Sequence, residues 1–307
     1  MTRSVHLVGI CGTGMGSLAG LFQAAGWQVR GSDTNVYPPM SEQLAALGID
    51  VAQGYAGAHL DWGPDLVVVG NIARPDNPEA LEARARGLTV TSMAQALAEW
   101  FLSNRTPVVV AGTHGKTTTA ALLSWALHAA GRDPGFLVGG VLANFSATQR
   151  LGAGPEFVVE GDEYHNAFFD PQPKFLHYRP DIAILTSIEL DHIELFPDLE
   201  SLQDVFRSFL RLLPPGGRLI ACHDDQGVRA TVPPDLAAPV TWYGLGEGPG
   251  TRSALLEAGP DGMLFTVQRD GATLHVRKAT RPEPEQARIL EALGLGDNPG
   301  GTRKFTA

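Results

Sequence analysis

Hydrophobic positions along this chain occur as short, mostly apolar runs, and each run leads into glycine or polar residues. Runs of this kind occupy residues 5–10, 65–70, 108–111, 157–159 and 181–187. A short apolar run without polar alternation is typical of a strand that is buried on both faces. Helical patterns occupy residues 18–25, 92–101, 118–130 and 202–213. Strands and helices in this alternation predict an α/β fold with a mainly parallel sheet.

Further segments have a less distinct pattern. Residues 27–30 and 218–222 are predicted strands, and residues 79–86 are a predicted helix that Pro78 opens. Residues 240–276 alternate short β-like runs with glycine and proline turns. Residues 279–307 form a polar tail with one short helix candidate at residues 285–293.

One loop carries the strongest chemical signal in the chain. It follows the run 108–111 and consists of Gly112, Thr113, His114, Gly115, Lys116, Thr117 and Thr118. A glycine loop at a helix N-terminus directs backbone N–H groups to one point, where the helix dipole also favours an anion. Lys116 adds a charge for β- and γ-phosphates, and the Thr117 hydroxyl suits magnesium. Strand, loop, Lys-Thr pair and helix in this order favour a nucleotide-binding phosphate loop over a plain turn with a capping threonine.

A second glycine-rich loop follows the run 5–10. A helix pattern and a strand come next, and the acidic residue Asp33 ends this βαβ unit. The dinucleotide fingerprint needs a glycine at position 11, where this chain has Cys11. The loop therefore favours a nucleotide diphosphate other than NAD. A tight turn without a ligand stays open, as does an unrelated phosphate-loop kinase or ATPase with an NAD-type first domain.

Acidic residues follow the run 157–159, where Glu160, Asp162 and Glu163 stand close together in sequence. Carboxylates at the carboxyl end of a strand beside a phosphate loop form a plausible magnesium site, although a solvated acidic turn is equally compatible. His192 follows the run 181–187 and shares this predicted sheet edge. A lone histidine is usually a surface or capping residue, but this position favours a functional role.

Composition excludes several classes of protein. The 307 residues give room for two domains, and a linker at residues 103–107 marks the boundary between them. A net charge of −10 argues against a nucleic-acid partner. Two cysteines imply no disulfide framework, and no apolar run reaches the length of a membrane span. An N-terminus without a signal-peptide pattern leads us to expect a cytoplasmic protein.

The motifs together resemble a known family. Residues 9–15, 111–118, 160–164 and 188–192 are similar in order and spacing to motifs of the Mur ligases of cell-wall synthesis. The resemblance implies a Rossmann-like UDP-sugar-binding domain at residues 1–103 and a central ATP-binding domain at residues 104–278. The family has a third, C-terminal domain. We expect it to be absent here, with residues 279–307 as a polar tail.

The resemblance also implies roles for individual residues. Residues that would contact UDP-N-acetylmuramate are Gly12, Thr13, Gly14 and Met15 at the diphosphate, Asp33 and Asn71 near the uridine, and Asn144. Lys116 would hold the ATP phosphates. Thr117 and Glu160 would bind one Mg²⁺ and His192 a second, so Lys116 and His192 are the expected catalytic residues. Whether a modified lysine assists the second ion stays open, and Lys174 is the only lysine near that region.

The implied reaction is ATP-dependent amide formation. ATP phosphorylates the lactyl carboxylate of UDP-N-acetylmuramate, and an amine attacks the acyl phosphate. Cys11 and the segments 31–41 and 168–180 resemble the branch that adds the tripeptide L-Ala-γ-D-Glu-meso-diaminopimelate in peptidoglycan recycling. The alternatives are the branch that adds L-alanine and a non-catalytic UDP-sugar- and ATP-binding fragment. We expect weak or no ligation by this chain alone, and neither a nucleic acid nor a membrane as partner.

Overall fold

The structure is a computed structural model, and it describes residues 2–38, 40–191, 195–259, 262–269 and 271–279. Its strands are β1 Ser4–Val8, β2 Gln28–Asp33, β3 Asp50–Gln53, β4 Leu66–Val69, β5 Thr89–Ser92, β6 Thr106–Ala111, β7 Gly135–Leu142, β8 Ala147–Arg150, β9 Glu156–Gly161, β10 His165–Ala167, β11 Asp170–Pro173, β12 Ile182–Leu185, β13 Arg218–Cys222, β14 Val240–Gly244, β15 Thr251–Gly259, β16 Gly262–Arg269 and β17 Ala272–Ala279.

The α-helices are α1 Thr13–Ala24, α2 Met40–Ala46, α3 Pro78–Ala85, α4 Met93–Leu97, α5 Lys116–Ala129, α6 Leu199–Leu210 and α7 Gln226–Thr231. Two short 3₁₀-helices span Gly57–Leu60 and Lys174–His177, and a π-helical turn spans Ala98–Leu102. Among the described residues, every helix is too short or too polar to cross a membrane. The helix candidate at residues 285–293 lies outside the described residues.

The structure divides into two compact units. The first consists of the chain up to Pro107 together with Pro134–Gly139 and Thr148–Arg179. The second consists of Val108–Asp133, Gly140–Ala147 and the chain from Pro180 onward. The segment 148–179 thus folds with the N-terminal residues, although sequence patterns alone group it with the phosphate loop. The domain boundary at residue 103 stays a prediction.

The first unit is built on a five-stranded sheet in the order β3-β2-β1-β4-β5, with every neighbouring pair parallel. The strands β1 and β4 are fully buried; β4 is entirely apolar, and β1 buries the polar residues Ser4 and His6 among apolar ones. The order reverses between β1 and β4, and ligands of such sheets collect at the carboxyl ends of the strands at this point. The α/β, Rossmann-like prediction for the N-terminal region is confirmed.

Several predicted bounds in this unit need correction. The strand predicted at residues 5–10 ends at Val8, and the helix predicted at 18–25 begins at Thr13 because the glycines after residue 12 are helical. The predicted helix 92–101 is the short helix α4 followed by the π-helical turn. The strands β3 and β5 were not predicted, because each is four residues long and only partly apolar.

The second unit contains a mainly parallel sheet. Its strands follow the order β17-β16-β15-β14-β13-β12-β6, and β6, β12, β13 and β14 are parallel. The strand β15 pairs in parallel with β14 over two positions and then turns the sheet antiparallel through β16 and β17. The β-rich prediction for residues 240–276 and the mainly parallel central sheet are both confirmed.

Helix α6 shows how a cap moved a predicted boundary. The apolar pattern predicts residues 202–213, whereas the helix runs from Leu199 to Leu210. Asp198 accepts a hydrogen bond from the Ser201 N–H at 2.8 Å and thereby starts the helix one turn earlier. The buried face of the helix is formed by Leu202, Phe206, Phe209 and Leu210. The prediction of an amphipathic helix is correct, but its predicted start and end lie three residues too far towards the C-terminus.

Candidate functional site

The phosphate loop lies between the end of β6 and the start of α5, as the sequence predicts. Gly112 and Gly115 have φ angles of +133° and +80°, a region that residues with a side chain rarely occupy. A Cβ at Gly112 would also overlap with the Thr186 side chain and lie 2.8 Å from the Ser187 carbonyl oxygen. Both glycines are therefore required by the backbone geometry of the loop.

Lys116 is the first residue of α5, and its side chain folds back across the loop. Its Nζ donates a hydrogen bond to the Gly112 carbonyl oxygen at 2.7 Å and lies 3.5 Å from that of Thr113. This places a half-buried positive charge beside the start of a helix, where the N–H groups of the first turn have no intrahelical acceptor. Thr117 and Thr118 belong to this first turn and are exposed. The arrangement suits an anion.

The segment after β12 supports the loop from one side. The Thr113 N–H donates to the Ser187 carbonyl oxygen at 2.9 Å, and the His114 N–H donates to the Ser187 hydroxyl at 3.1 Å. The Thr186 hydroxyl donates to the His114 carbonyl oxygen at 2.6 Å. These two loop amides are therefore engaged within the protein. The N-terminus of α5, where the helix dipole favours an anion, follows directly after them.

Thr186 and Ser187 were not singled out from the sequence. The signal that could have found them is a pair of hydroxyl residues directly after a buried strand parallel to the strand before the loop. Beyond them, the Glu189 N–H donates to the Thr113 hydroxyl at 3.3 Å. The exposed side chains of His114 and Glu189 lie 3.7 Å apart. His192, the predicted metal ligand, lies outside the described residues.

The N-terminal glycine loop is fastened by residues of β2. The N–H groups of Gly9 and Ile10 donate to the Ser32 carbonyl oxygen at 2.8 and 3.1 Å. The Cys11 N–H donates to one carboxylate oxygen of the buried Asp33 at 2.9 Å, and the Asn35 N–H donates to the other oxygen at 2.9 Å. Asp33 therefore shapes the loop itself, a role that the sequence did not predict.

The residues expected at the diphosphate form the start of α1. Gly12 is the N-cap and has no side chain, while Thr13, Gly14 and Met15 form the first turn. Such a helix start presents N–H groups to an anion. Burial, together with the charge of Asp33, raises the pKa of the Cys11 thiol to about 11, so the thiol stays protonated at neutral pH. Cys11 is thus a neutral part of the loop.

The two remaining residues predicted to contact the sugar nucleotide are the asparagines Asn71 and Asn144. Asn71 is exposed in the turn that follows β4, at the carboxyl edge of the first sheet. This edge is where ligands of such sheets bind. Asn144 is half-buried in the second unit, in the turn after β7. The two asparagines therefore lie in different units.

A cluster of polar side chains around Glu79 connects α3 with β1 and β2. The Glu79 side chain is fully buried, and its carboxylate accepts a hydrogen bond from the Ser32 hydroxyl at 2.5 Å. It also contacts His6 Nε2 at 3.1 Å and His59 Nδ1 at 2.6 Å. Burial alone would raise the pKa of the Glu79 carboxyl, but the hydrogen bonds from His6, Ser32 and His59 hold it below its usual value. The sequence predicted only a helix start here.

The acidic cluster after β9 is less uniform than its sequence implies. The Glu160 carboxylate accepts a hydrogen bond from the Gly139 N–H at 2.9 Å. Asp162 forms an ion pair with Lys174 Nζ at 2.6 Å, and Glu163 is buried. Within the described part of the chain, no three His, Cys, Asp or Glu side chains are grouped to hold a metal ion. The three carboxylates therefore have three different environments.

Residues 168–179 of the segment 168–180 belong to the first unit, as does this cluster. The strands β10 and β11 form a hairpin, and the buried Tyr178 lies near Asp162 and Glu160. Burial, followed by the charges of these two carboxylates, raises the pKa of the Tyr178 hydroxyl. The Asn166 amide donates to the Ser92 hydroxyl and, at 2.8 Å, to the Asp170 carboxylate. These contacts fix the hairpin to the start of α4.

Two models of one protein family match consecutive parts of the chain. Residues 4–105 match the model described as "Mur ligase family, catalytic domain", and residues 110–278 match the "Mur ligase middle domain". The UDP-N-acetylmuramate–L-alanyl-γ-D-glutamyl-meso-2,6-diaminoheptandioate ligases of Escherichia coli and Haemophilus influenzae are 43% and 41% identical over 228 and 230 residues. These alignments cover 74% and 75% of this chain but only 50% and 51% of the relatives. The chain thus spans about half their length.

Another curated relative and two solved structures extend the comparison. The UDP-N-acetylmuramate–L-alanine ligase of Methylibium petroleiphilum is 38% identical over 296 residues, which are 95% of this chain and 61% of the relative. The crystal structure of a UDP-N-acetylmuramate:L-alanyl-γ-D-glutamyl-meso-diaminopimelate ligase from Neisseria meningitides superposes with a TM-score of 0.83 at 38% identity. The match covers 97% of this chain and 95% of that one. A murein peptide ligase from Psychrobacter arcticus gives 0.81 at 37% identity, covering 96% and 66%.

Proposed function

Because the chain belongs to the Mur ligase family, we propose that it serves the ATP-dependent ligation of L-Ala-γ-D-Glu-meso-diaminopimelate to UDP-N-acetylmuramate in peptidoglycan recycling. Members of this family are ATP-dependent ligases. The observation that carries the choice of acceptor is the identity of 43% and 41% to two relatives named for this tripeptide substrate. The L-alanine ligase from Methylibium is less similar, at 38%.

The ATP site proposed here is the phosphate loop of the second unit. Gly112, Gly115 and the first turn of α5 give the backbone geometry of a phosphate cradle, and the Lys116 ammonium lies across it. When ATP binds, Lys116 exchanges its contact with the Gly112 carbonyl oxygen for the nucleotide phosphates. A carboxylate that attacks a phosphoryl group brings like charges together, so a fixed cation and oriented amides lower the barrier.

The donor set of the chain fits magnesium. Thr117 offers a hydroxyl and Glu160 a carboxylate, and Mg²⁺ prefers such oxygen ligands. The Gly139 N–H orients the Glu160 carboxylate through a hydrogen bond. Mg²⁺ usually keeps several waters and binds through one or two carboxylates plus phosphates, so a complete ring of protein ligands is not needed. We propose Thr117 and Glu160 as ligands of one Mg²⁺ and His192 as a ligand of a second. Bound Mg²⁺ would neutralise the negative charge that develops on the phosphate groups.

The sugar-nucleotide site proposed here is the carboxyl edge of the first sheet. Gly12 and the first turn of α1, from Thr13 to Met15, supply amides for the diphosphate. Asp33 contributes by holding the loop backbone, and Asn71 is exposed at the same edge. The contact of Asn144 with this substrate stays a prediction.

The proposed reaction proceeds through an acyl phosphate. The lactyl carboxylate of UDP-N-acetylmuramate attacks the γ-phosphorus of ATP, and ADP leaves. The acceptor amine then attacks the carbonyl carbon, and inorganic phosphate leaves as the amide forms. Lys116 would stabilise the charge that accumulates on the transferred phosphoryl group. Such use of ATP also supports our proposal of a cytoplasmic protein.

An alternative acceptor is L-alanine. The alignment with the L-alanine ligase from Methylibium covers 95% of this chain, whereas the tripeptide-ligase alignments cover 74% and 75%. This longer coverage favours the alternative, and the lower identity opposes it. A chain that binds both nucleotides without ligating them is the further alternative. We also propose a domain boundary near residue 103, which the ends of the two family matches at residues 105 and 110 support.

The test is a ligation assay read by mass spectrometry. The purified chain is incubated with ATP, Mg²⁺ and UDP-N-acetylmuramate, and with either the tripeptide or L-alanine. A tripeptide adduct supports the proposal, and an alanine adduct moves the assignment to the alternative. No product, with both nucleotides bound in calorimetry on the same sample, shows that the chain binds but does not ligate. No binding of either nucleotide overturns the proposal.

A further inference from the structure

Two consecutive aspartates follow β13, and their carboxylates hold two different loops. Asp224 accepts hydrogen bonds from backbone N–H groups of residues 245–246. Asp225 Oδ1 accepts one hydrogen bond from the Val228 N–H at 2.7 Å and another from the Ile188 N–H at 3.2 Å. Asp225 is therefore the N-cap of α7 and, at the same time, an anchor for the segment that follows β12.

A glycine in α7 allows the anchor to form. A Cβ built on Gly227 would overlap with the Ile188 carbonyl oxygen. The Ile188 side chain is itself buried, so this residue cannot move outward without exposing apolar surface. The backbone of Ile188 is thus fixed through its N–H by Asp225 and through its carbonyl oxygen by the close approach of Gly227.

The residues on either side of Ile188 contact the phosphate loop. Ser187 accepts hydrogen bonds from the Thr113 and His114 N–H groups, at 2.9 and 3.1 Å. The Glu189 N–H donates to the Thr113 hydroxyl at 3.3 Å. A displacement of Ile188 would therefore move Ser187, whose oxygens accept the N–H groups of Thr113 and His114. In these hydrogen bonds Asp225 acts on the loop only through Ile188.

We propose that Asp225 is a positioning residue for the nucleotide site, which acts through Ile188 on the phosphate loop and depends on Gly227 for the close approach of α7. The inference rests on the proposed function, because it takes the phosphate loop to bind ATP. Asp225 has no direct role in the chemistry. It sets the position of Ser187 and Glu189, and these set the conformation in which Lys116 and the first turn of α5 meet the phosphates.

The test compares ADP binding by calorimetry in four variants of the full chain. Asp225→Ala removes the acceptor for the Ile188 N–H, and we expect a Kd for ADP about tenfold above that of the parent protein. Asp225→Asn keeps one acceptor oxygen, so its Kd should stay within about threefold. Gly227→Ala places a methyl group against the Ile188 carbonyl oxygen and should weaken ADP binding as much as Asp225→Ala does.

The matched control is Asp198→Ala. Asp198 is also a helix N-cap, with Oδ1 accepting from the Ser201 N–H and hydroxyl, and within the described part of the chain these hydrogen bonds stay inside the start of α6. Asp198→Ala and Asp225→Ala should lower the melting temperature by similar amounts. Only Asp225→Ala should weaken ADP binding. The affinity for UDP-N-acetylmuramate should stay within twofold of the parent in both variants, because the loop that is proposed to hold its diphosphate lies in the first unit.

Failure of the inference and failure of the proposed function give different results. If the parent chain binds no ADP, the proposed nucleotide site is wrong. If the parent binds ADP and Asp225→Ala binds it with unchanged affinity, the inference is overturned while the function stands. Equal weakening in Asp198→Ala would also overturn it, because a general loss of stability would then explain the effect.

Discussion

The two glycine-rich loops of this protein have similar local sequences but different supports. Each follows a buried strand and leads into a helix, α1 in the first unit and α5 in the second. The N-terminal loop is held by Asp33, whose two carboxylate oxygens accept backbone N–H groups. The phosphate loop is held by the hydroxyl residues Thr186 and Ser187, and Lys116 folds across it.

The difference follows from the charge that each loop is proposed to bind. A diphosphate already linked to two organic groups carries less charge than the end of a triphosphate, and helix amides can hold it without a lysine. A transferring phosphoryl group needs a cation close by. Neutral hydroxyl supports around the phosphate loop add no negative charge beside ATP, whereas Asp33 is tolerated in the other loop because N–H groups satisfy both of its oxygens.

The largest effect is expected from Gly112→Ala. The φ of +133° disfavours any side chain, and the methyl group would overlap with Thr186, so the loop must change its path. We expect ATP affinity to fall by more than about 100-fold, which corresponds to roughly 3 kcal/mol. Calorimetric titration with ATP measures this.

The control for Gly112→Ala is Gly131→Ala. Gly131 also has a positive φ, of +75°, but a Cβ there has no neighbouring atom within 4 Å. This variant should lose about 1 kcal/mol of stability and keep its ATP affinity. Equal ATP binding in both variants would show that the phosphate loop does not require its glycine.

The next effect is expected from Lys116→Met, which removes the cation but keeps most of the length of the unbranched side chain. A charge-assisted hydrogen bond is worth about 1.5–3 kcal/mol, so the Kd for ATP should rise by about 10- to 100-fold. The affinity for UDP-N-acetylmuramate should not change. A parallel loss of both affinities in calorimetry would mean that the two loops are not independent sites.

A smaller effect is expected from Asp33→Asn. The amide nitrogen of asparagine would face the N–H of Cys11 or Asn35, so one of the two loop contacts is lost. We expect UDP-N-acetylmuramate to bind about tenfold more weakly, with ATP affinity unchanged. The control is Asp65→Asn, because Asp65 uses a single oxygen to accept the Ser4 N–H and hydroxyl at the opposite sheet edge. Unchanged sugar-nucleotide affinity in Asp33→Asn would remove Asp33 from the site.

The smallest effect on nucleotide binding is expected from Glu79→Gln. This substitution should instead lower the stability of the fold. The glutamine amide has one acceptor oxygen and cannot accept hydrogen bonds from both histidines and Ser32. The free energy of unfolding should therefore fall by about 1–3 kcal/mol. Because the pKa of Glu79 is lowered on folding, the ionised carboxylate stabilises the fold above its ordinary pKa of about 4.3. This stabilisation is lost as the pH falls through the lowered value. Urea unfolding at pH 7 and in acid measures it, and an identical acid dependence in Glu79→Gln would contradict the assignment.

The fold was predictable wherever apolar runs were long enough to indicate buried strands. The strands β1, β4, β6, β9 and β12 were found this way, and the phosphate loop was found from its glycines, Lys116 and the following helix. The short strands β3 and β5 were missed because their composition does not indicate a strand. Their extended conformation is set by pairing with β2 and β4. The roles assigned to the site residues remain predictions.

By itself, the sequence determined the α/β class, the two strand-to-helix loops and the family, because local periodicity and loop chemistry are properties of neighbouring residues. Only the tertiary structure decided which distant side chains hold those loops. It brought Ser32 and Asp33 to the N-terminal loop, Ser187 to the phosphate loop, and Asp225 to Ile188. It also separated Asp162, which is paired with Lys174, from Glu160. The physical reason is that parallel strands far apart in sequence end at one sheet edge, and their pairing fixes which polar side chains meet.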